Sequence, residues 1–170
     1  PDIVHFCETL SLNGNITERC PDLVNNQVKI KQRFPEIRVM RSIPIAPPGS
    51  ADRVPTLELA VEFEPVSDIF LTDTLLLETT DAGEAPEKQP VHGFIGITGR
   101  TCDWSMARRL TEACNIPVIL AGGISPANAA EGIRIVQPAG IDSCTGTNST
   151  DAAGNPIRFQ KDNQKVKRLV

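Results

Sequence analysis

The stretch Val118-Ile119-Leu120-Ala121-Gly122-Gly123-Ile124-Ser125-Pro126-Ala127-Asn128 decides the fold. Residues 117–121 are apolar without a break, which suits a parallel strand buried on both faces. Two glycines follow. Ser125-Pro126 then opens a helix, with Ser125 as N-cap and Pro126 in the first turn. Ile133 and Val136 are expected on the inner side of that helix. Strand, glycine turn and capped helix are the repeating parts of a βαβ chain.

The same parts recur on both sides of this stretch. Upstream, Ile3–Phe6 reads as a strand, Ser11–Asn15 as a turn and Pro21–Arg33 as a helix. Residues 37–40 form a strand that continues toward Ile45, and residues 46–50 form a loop. Pro55–Glu64 reads as a helix, with Leu57, Ala60 and Val61 on one face and Pro65 as its stop. A strand covers residues 67–73. The stretch 79–91 is long for a βα connection, which suits a lid or an insertion. Asp103 is an N-cap for a helix over 104–114, whose buried stripe is Ala107, Leu110 and Cys114. Downstream, Gly140–Cys144 is a fifth strand and residues 162–169 a last helix. Five β-α units in succession demand parallel strands with helical crossovers. Both an open doubly wound sheet and a (β/α)8 barrel satisfy that order.

Composition narrows the class. The chain has 170 residues, of which 40% are apolar and 22% charged, enough for one globular domain over 1–170. Its net charge of −4 and the absence of a basic stripe argue against nucleic acid or an anionic membrane as partner. No apolar run approaches the length of a membrane span, and no signal-peptide pattern opens the chain. Five cysteines (Cys7, Cys20, Cys102, Cys114 and Cys144) without CxxC spacing read as free thiols of a cytoplasmic protein. The chain opens on Pro1 and runs at once into a strand, as part of a longer protein would.

Gly122-Gly123 before a helix start lets a bound group approach free backbone amides at the positive end of a helix dipole. The chemistry is anion binding, most simply phosphate; a bare tight turn is the other reading. A second such element follows at once, where Ile141-Asp142-Ser143-Cys144 runs into Thr145-Gly146. Two consecutive strand ends of this kind can grip one phosphate together, as barrel enzymes do after their last strands.

These segments resemble the phosphoribosylanthranilate isomerase family. Leu120–Asn128 is similar to the family's LAGGLNPENV, and Thr98-Gly99-Arg100-Thr101-Cys102-Asp103-Trp104-Ser105 to GGTGKTFDWS. Phe70-Leu71-Thr72-Asp73-Thr74 resembles FLLDS, Asp2–Phe6 resembles DVVQLHG, and Ile141–Gly146 resembles DVSSG, with Lys161-Asp162 at a later KD. The resemblance implies a (β/α)8 TIM-type barrel, present here as five parallel β-α units that correspond to family strands four to eight. It implies an Amadori rearrangement in tryptophan biosynthesis, from aminoaldose to aminoketose, on a small phosphorylated sugar-type substrate without a cofactor or metal. Asp73 falls at the position of the general acid, with Glu78 as a rival placement. Gly122, Gly123, Thr145 and Gly146 fall where the family holds the substrate phosphate. His5, Cys7, Thr98, Gly99 and Asp142 are further substrate-site candidates.

The departures matter as well. The family's QLHG is His5-Phe6-Cys7-Glu8, its GGTG is Gly96-Ile97-Thr98-Gly99, and its SGVE glutamate is Asn148. The base cysteine of strand one has no counterpart in the match. Cys7, on the same side of its strand as His5, is a substitute base or metal ligand by position, and an inert thiol otherwise. His92 reads as a solvated loop residue. A phosphometabolite-binding barrel without the isomerase reaction is therefore the alternative. A partial barrel also leaves two sheet edges that a homodimer would cover.

Overall fold

A computed structural model describes residues 1–77 and 99–170. Strand β1 (Ile3–Phe6) leads into a hairpin of β2 (Ser11–Leu12) and β3 (Asn15–Ile16). Asn13 and Gly14 close it with φ of 50° and 80°, the left-handed pair that a two-residue hairpin turn requires. Helix α1 (Cys20–Arg33), strand β4 (Arg38–Ile45), helix α2 (Thr56–Phe63) and strand β5 (Ile69–Thr74) follow. Then come helix α3 (Trp104–Ala113), strand β6 (Val118–Leu120), helix α4 (Ala129–Val136) and strand β7 (Gly140–Ile141). A 3-10 turn at Thr145–Thr147 leads to the antiparallel pair β8 (Asn148–Thr150) and β9 (Pro156–Lys161), and helix α5 (Asn163–Leu169) ends the chain.

The central sheet has the order β1-β4-β5-β6-β7, and every pairing is parallel. Among the described residues each neighbouring pair is joined by a crossover that carries one α-helix, as parallel pairing favours. The sheet is open, with β1 and β7 at its edges.

Alternation along the strands divides the sheet into two faces. Register places Phe6, Arg41, Phe70 and Val118 side by side, with Ile43 beside Thr72 one step on. This face meets the helices. Ile43, Ile45, Phe70 and Leu120 pack there against Leu59, Phe63 and Leu110, all fully buried. The opposite face carries His5 beside Met40, then Ser42 beside Leu71 and Ile119, then Pro44 beside Asp73.

One charge lies inside the core. Arg41 is 0% exposed. Its Nε donates to Gln27 Oε1 at 2.6 Å and its NH1 to Glu8 Oε2 at 2.6 Å. Its guanidinium lies over the rings of Phe6 and Phe63, with centroids 5.2 and 4.8 Å away. Burial lowers its pKa and the Glu8 carboxylate opposes that shift. A planar cation that stacks on rings while filling its donors suits this site as an ammonium would not.

Several expectations shift. The inner stripe of α2 is Thr56, Leu59, Ala60 and Phe63, while Val61 is 75% exposed. The helix gives way to a 3-10 turn at Glu64–Val66, so Pro65 lies within that turn. In α3 the stripe is Met106, Ala107 and Leu110, with Cys114 only half-buried at the end. Helix α4 begins at Ala129, because Ser125–Asn128 is spent on a separate turn in which the Asn128 N–H donates to the Ser125 carbonyl at 3.1 Å. Ser125 therefore does not cap it. Ile133 points outward, and Gly132 with Val136 forms its inner side. The fifth strand ends at Ile141, as the chain bends into the turn that follows. The asparagine–glycine hairpin and the β8–β9 pair were not expected as strands. The stretch 79–91, Glu78, His92, Gly96, Ile97 and Thr98 lie outside the described residues.

Candidate active site at the strand ends

The C-terminal ends of β5, β6 and β7 meet at one small, open cleft. Asp73, Gly99, Gly122, Gly123, Ile124, Asp142, Cys144, Thr145 and Gly146 line it. The cleft thus brings together seven of the residues singled out from sequence.

Asp73 enters from the inner face of β5. Burial pushes its carboxyl up to about 6, and the negative charge of Asp142 adds to the rise. The backbone N–H of Thr74, which donates to Asp73 Oδ1 at 2.8 Å, opposes both. Desolvation disfavours the charged form, so a carboxyl in this setting holds its proton near neutrality. Such a group can give a proton to a leaving oxygen and take one back.

The glycine loop after β6 is held from three sides. Gly122 and Gly123 have φ of 89° and 66°, a region that side chains rarely adopt. A Cβ on Gly123 would lie 2.5 Å from the backbone of Arg100 and Thr101, so the 99–101 segment rests directly on this residue. Asn128 Nδ2 donates to the Gly123 carbonyl at 3.0 Å, while its Oδ1 accepts from the Ser125 N–H at 2.8 Å. Ser143 Oγ donates to the Ile124 carbonyl at 2.6 Å.

The next loop nests against the first. A Cβ on Gly146 would fall on the Ile124 carbonyl oxygen. Lys161, at the end of β9, donates to the carbonyls of Ser143 and Cys144 at 3.2 and 2.6 Å and to Thr147 Oγ1 at 2.9 Å. Asp162 caps α5 by accepting from the N–H groups of Gln164 and Lys165. The backbone N–H groups of Gly122, Gly123, Thr145 and Gly146 donate to no acceptor among the described residues. Several free amides on nested loops form a concave array suited to an anion.

The remaining candidates divide. Gly99 lines the cleft, with φ of 67° and Thr145 packed against it. His5 lies on the inner sheet face, with Nε2 2.8 Å from Ser42 Oγ, and does not line the Asp73 cleft. Burial lowers its pKa, Asp142 opposes this and Arg41 reinforces it. Cys7 is exposed just past β1 and is not part of the cleft. Cys102 is buried, which pushes its thiol up to about 12 and makes it inert. No group of three or more His, Cys, Asp or Glu side chains among the described residues could hold a metal ion. No helix among them is long and apolar enough to cross a membrane.

Sequence reading missed the side chains that hold these loops. Asn128, Ser143 and Lys161 sit in the right segments, but only the fold reveals that each bonds a loop carbonyl. Thr72 carried a usable signal, a hydroxyl where the family's FLLDS has leucine.

The family model of N-(5′-phosphoribosyl)anthranilate (PRA) isomerase matches residues 36–170. The chain belongs to the phosphoribosylanthranilate isomerase family. N-(5′-phosphoribosyl)anthranilate isomerase 2 of Methanosarcina mazei is 31% identical over 147 residues, covering 86% of this chain and 54% of its own length. A solved structure of monomers generated from the dimeric isomerase of Thermotoga maritima superposes with a TM-score of 0.53 at 20% identity, over 86% of this chain and 53% of that one. A family structure in complex with reduced 1-(o-carboxyphenylamino)-1-deoxyribulose 5-phosphate gives 0.51 at 16% identity, over 98% and 66%. The isomerase superpositions show the TIM-type α/β fold, here as an open five-stranded sheet. The chain spans about half the length of the curated relative.

Proposed function

We propose that this chain carries the phosphate grip and the general acid of a phosphoribosylanthranilate isomerase of tryptophan biosynthesis. The observation that supports it is the meeting on one cleft of Asp73 with the backbone amides of Gly122, Gly123, Thr145 and Gly146, which have no acceptor among the described residues. The substrate is N-(5′-phosphoribosyl)anthranilate, in keeping with the relatives' names and the phosphorylated ligand of the structural neighbour.

The amides receive the 5′-phosphate and fix one end of the sugar. Protonated Asp73 gives its proton to the ribose ring oxygen as the C1′–O bond breaks. The electron pair of that bond goes to the oxygen, and the amine nitrogen supplies its lone pair to C1′. Loss of the C2′ proton to a base then yields the enolamine, which becomes the aminoketose. Asp142 keeps Asp73 protonated by its charge and faces the sugar hydroxyls. Gly99 gives the 99–101 segment room beside the cleft, and His5 offers a neutral hydrogen-bonding group on the inner sheet face. The protein works in the cytoplasm, and a homodimer is the assembly that the dimeric neighbour suggests.

The test is conversion of N-(5′-phosphoribosyl)anthranilate by the full-length gene product with and without Asp73→Asn. A loss of kcat of at least about 100-fold is expected for removal of a general acid. An unchanged rate would remove Asp73 from that role. Ribose phosphate binding without turnover in the wild type would favour the binding-protein alternative.

A further inference from the structure

The ladder between β5 and β6 ends early. Its last paired residues are Leu71 and Ile119. Beyond them the two strands are tied by a side chain. Thr72 Oγ1 accepts from the Ala121 N–H at 2.9 Å and donates to the Ala121 carbonyl at 3.1 Å. Thr72 is 0% exposed, so neither partner has water as a substitute. Cys102 Sγ donates to the same carbonyl at 3.5 Å. Ala121 is the residue before Gly122-Gly123, and Thr72 is the residue before Asp73.

Thr74 ties a second loop on the other side of Asp73. Its Oγ1 donates to the Arg100 carbonyl at 2.7 Å, and a Cβ on Gly122 would lie 2.5 Å from that hydroxyl. Two threonines on the helix-facing side of β5 therefore hold the two loops that flank the inward-facing Asp73.

We propose that Thr72 is a positioning residue whose hydroxyl, in place of ladder bonds, sets the distance between the Asp73 carboxyl and the Gly122-Gly123 amides. The idea rests on the reading of that cleft as an acid beside a phosphate grip. A leucine at this position would fill the same space and could not hold Ala121 from both sides.

The experiment compares wild type, Thr72→Val and Thr72→Ser in this chain, with folding checked by circular dichroism. The Asp73 carboxyl is followed by NMR titration, and ribose 5-phosphate is the binding probe. Thr72→Val should move the Asp73 midpoint down toward the ordinary carboxylate range near 4. It should also weaken ribose 5-phosphate about fivefold, equivalent to about 1 kcal/mol. Thr72→Ser should keep both within about twofold of wild type. Equal values in wild type and the valine variant would overturn the proposal, as would equal damage by serine and valine. Should the valine variant not fold, hydrogen exchange at the wild-type Ala121 amide decides. Slow exchange supports the bond to Thr72, and exchange as fast as an open loop refutes it. A wild type that ignores ribose 5-phosphate would count against the phosphate reading, while the Asp73 titration would still judge Thr72.

Discussion

Asp73 and Asp142 face one cleft from different strand ends, and the charge on Asp142 adds to the burial that makes the Asp73 carboxyl hard to ionise. An unfolded aspartate titrates at the ordinary value of 3.8, and the folded Asp73 at about 6. Between those values the native state keeps a proton that the unfolded chain has lost. Stability therefore falls as pH rises through that window, by up to about 3 kcal/mol, and the loss is complete above it. Asp73→Asn should remove this dependence, so that the variant gains on wild type between pH 4 and pH 6.5. Urea unfolding at the two pH values measures the difference. Asp142→Asn should lower the Asp73 midpoint, read by NMR titration.

The nested loops make two glycines irreplaceable. Gly146→Ala would drive a methyl group into the Ile124 carbonyl, and Gly123→Ala into the backbone of Arg100 and Thr101. Each should cost about 2 kcal/mol or more and abolish ribose phosphate binding. Gly49→Ala meets nothing within 4 Å and carries only the strain of its φ of 83°. It should cost about 1 kcal/mol and leave binding intact. Denaturation midpoints and a thermal-shift assay separate the three.

Buried Arg41 predicts coupling rather than simple loss. Glu8→Ala leaves the guanidinium short of its countercharge, at a cost of about 2 kcal/mol, reduced because Glu8 is 39% exposed. Arg41→Met should also destabilise, since Gln27 Oε1 then has no donor. The double variant should lose less than the sum of the two, by about 1 kcal/mol, in a double-mutant cycle.

Lys161 acts on the site from outside it. Its three hydrogen bonds hold the 143–147 segment against the glycine loop. Lys161→Met should therefore weaken ribose phosphate binding several-fold, by roughly the 1 kcal/mol of a lost hydrogen bond, while the melting temperature changes little. Calorimetric titration beside a melting curve checks it. Equal binding in both proteins would leave Lys161 a role in the β8–β9 pair alone.

The strand-and-helix order was readable because each unit signals itself locally. An unbroken apolar run marks β6, and Asp103 caps α3 as its position suggests. Asp73, Gly122, Gly123, Thr145 and Gly146 were legible as members of one site because parallel strands deliver their C-terminal ends to one side. Failures came where a side chain bonds something distant in sequence. Ser125 looks like a cap, but Asn128 turns back to take its N–H. Val61 fits a helical period, yet the stripe is set by which residues meet Phe70 and Leu110 across the core. No local pattern announces that Lys161 reaches back 17 and 18 residues to the Cys144 and Ser143 carbonyls.

The closest approaches at Gly123 and Gly146 are of main chain to main chain. A cavity shaped by side chains changes outline whenever a neighbour mutates. One shaped by crossing backbones depends on hydrogen atoms where methyl groups would collide, and here also on the side chains of Asn128, Ser143 and Lys161 that hold the crossing loops. The anchoring end of the cleft is thereby bounded by main chain, while Asp73 and Asp142 face it with side chains.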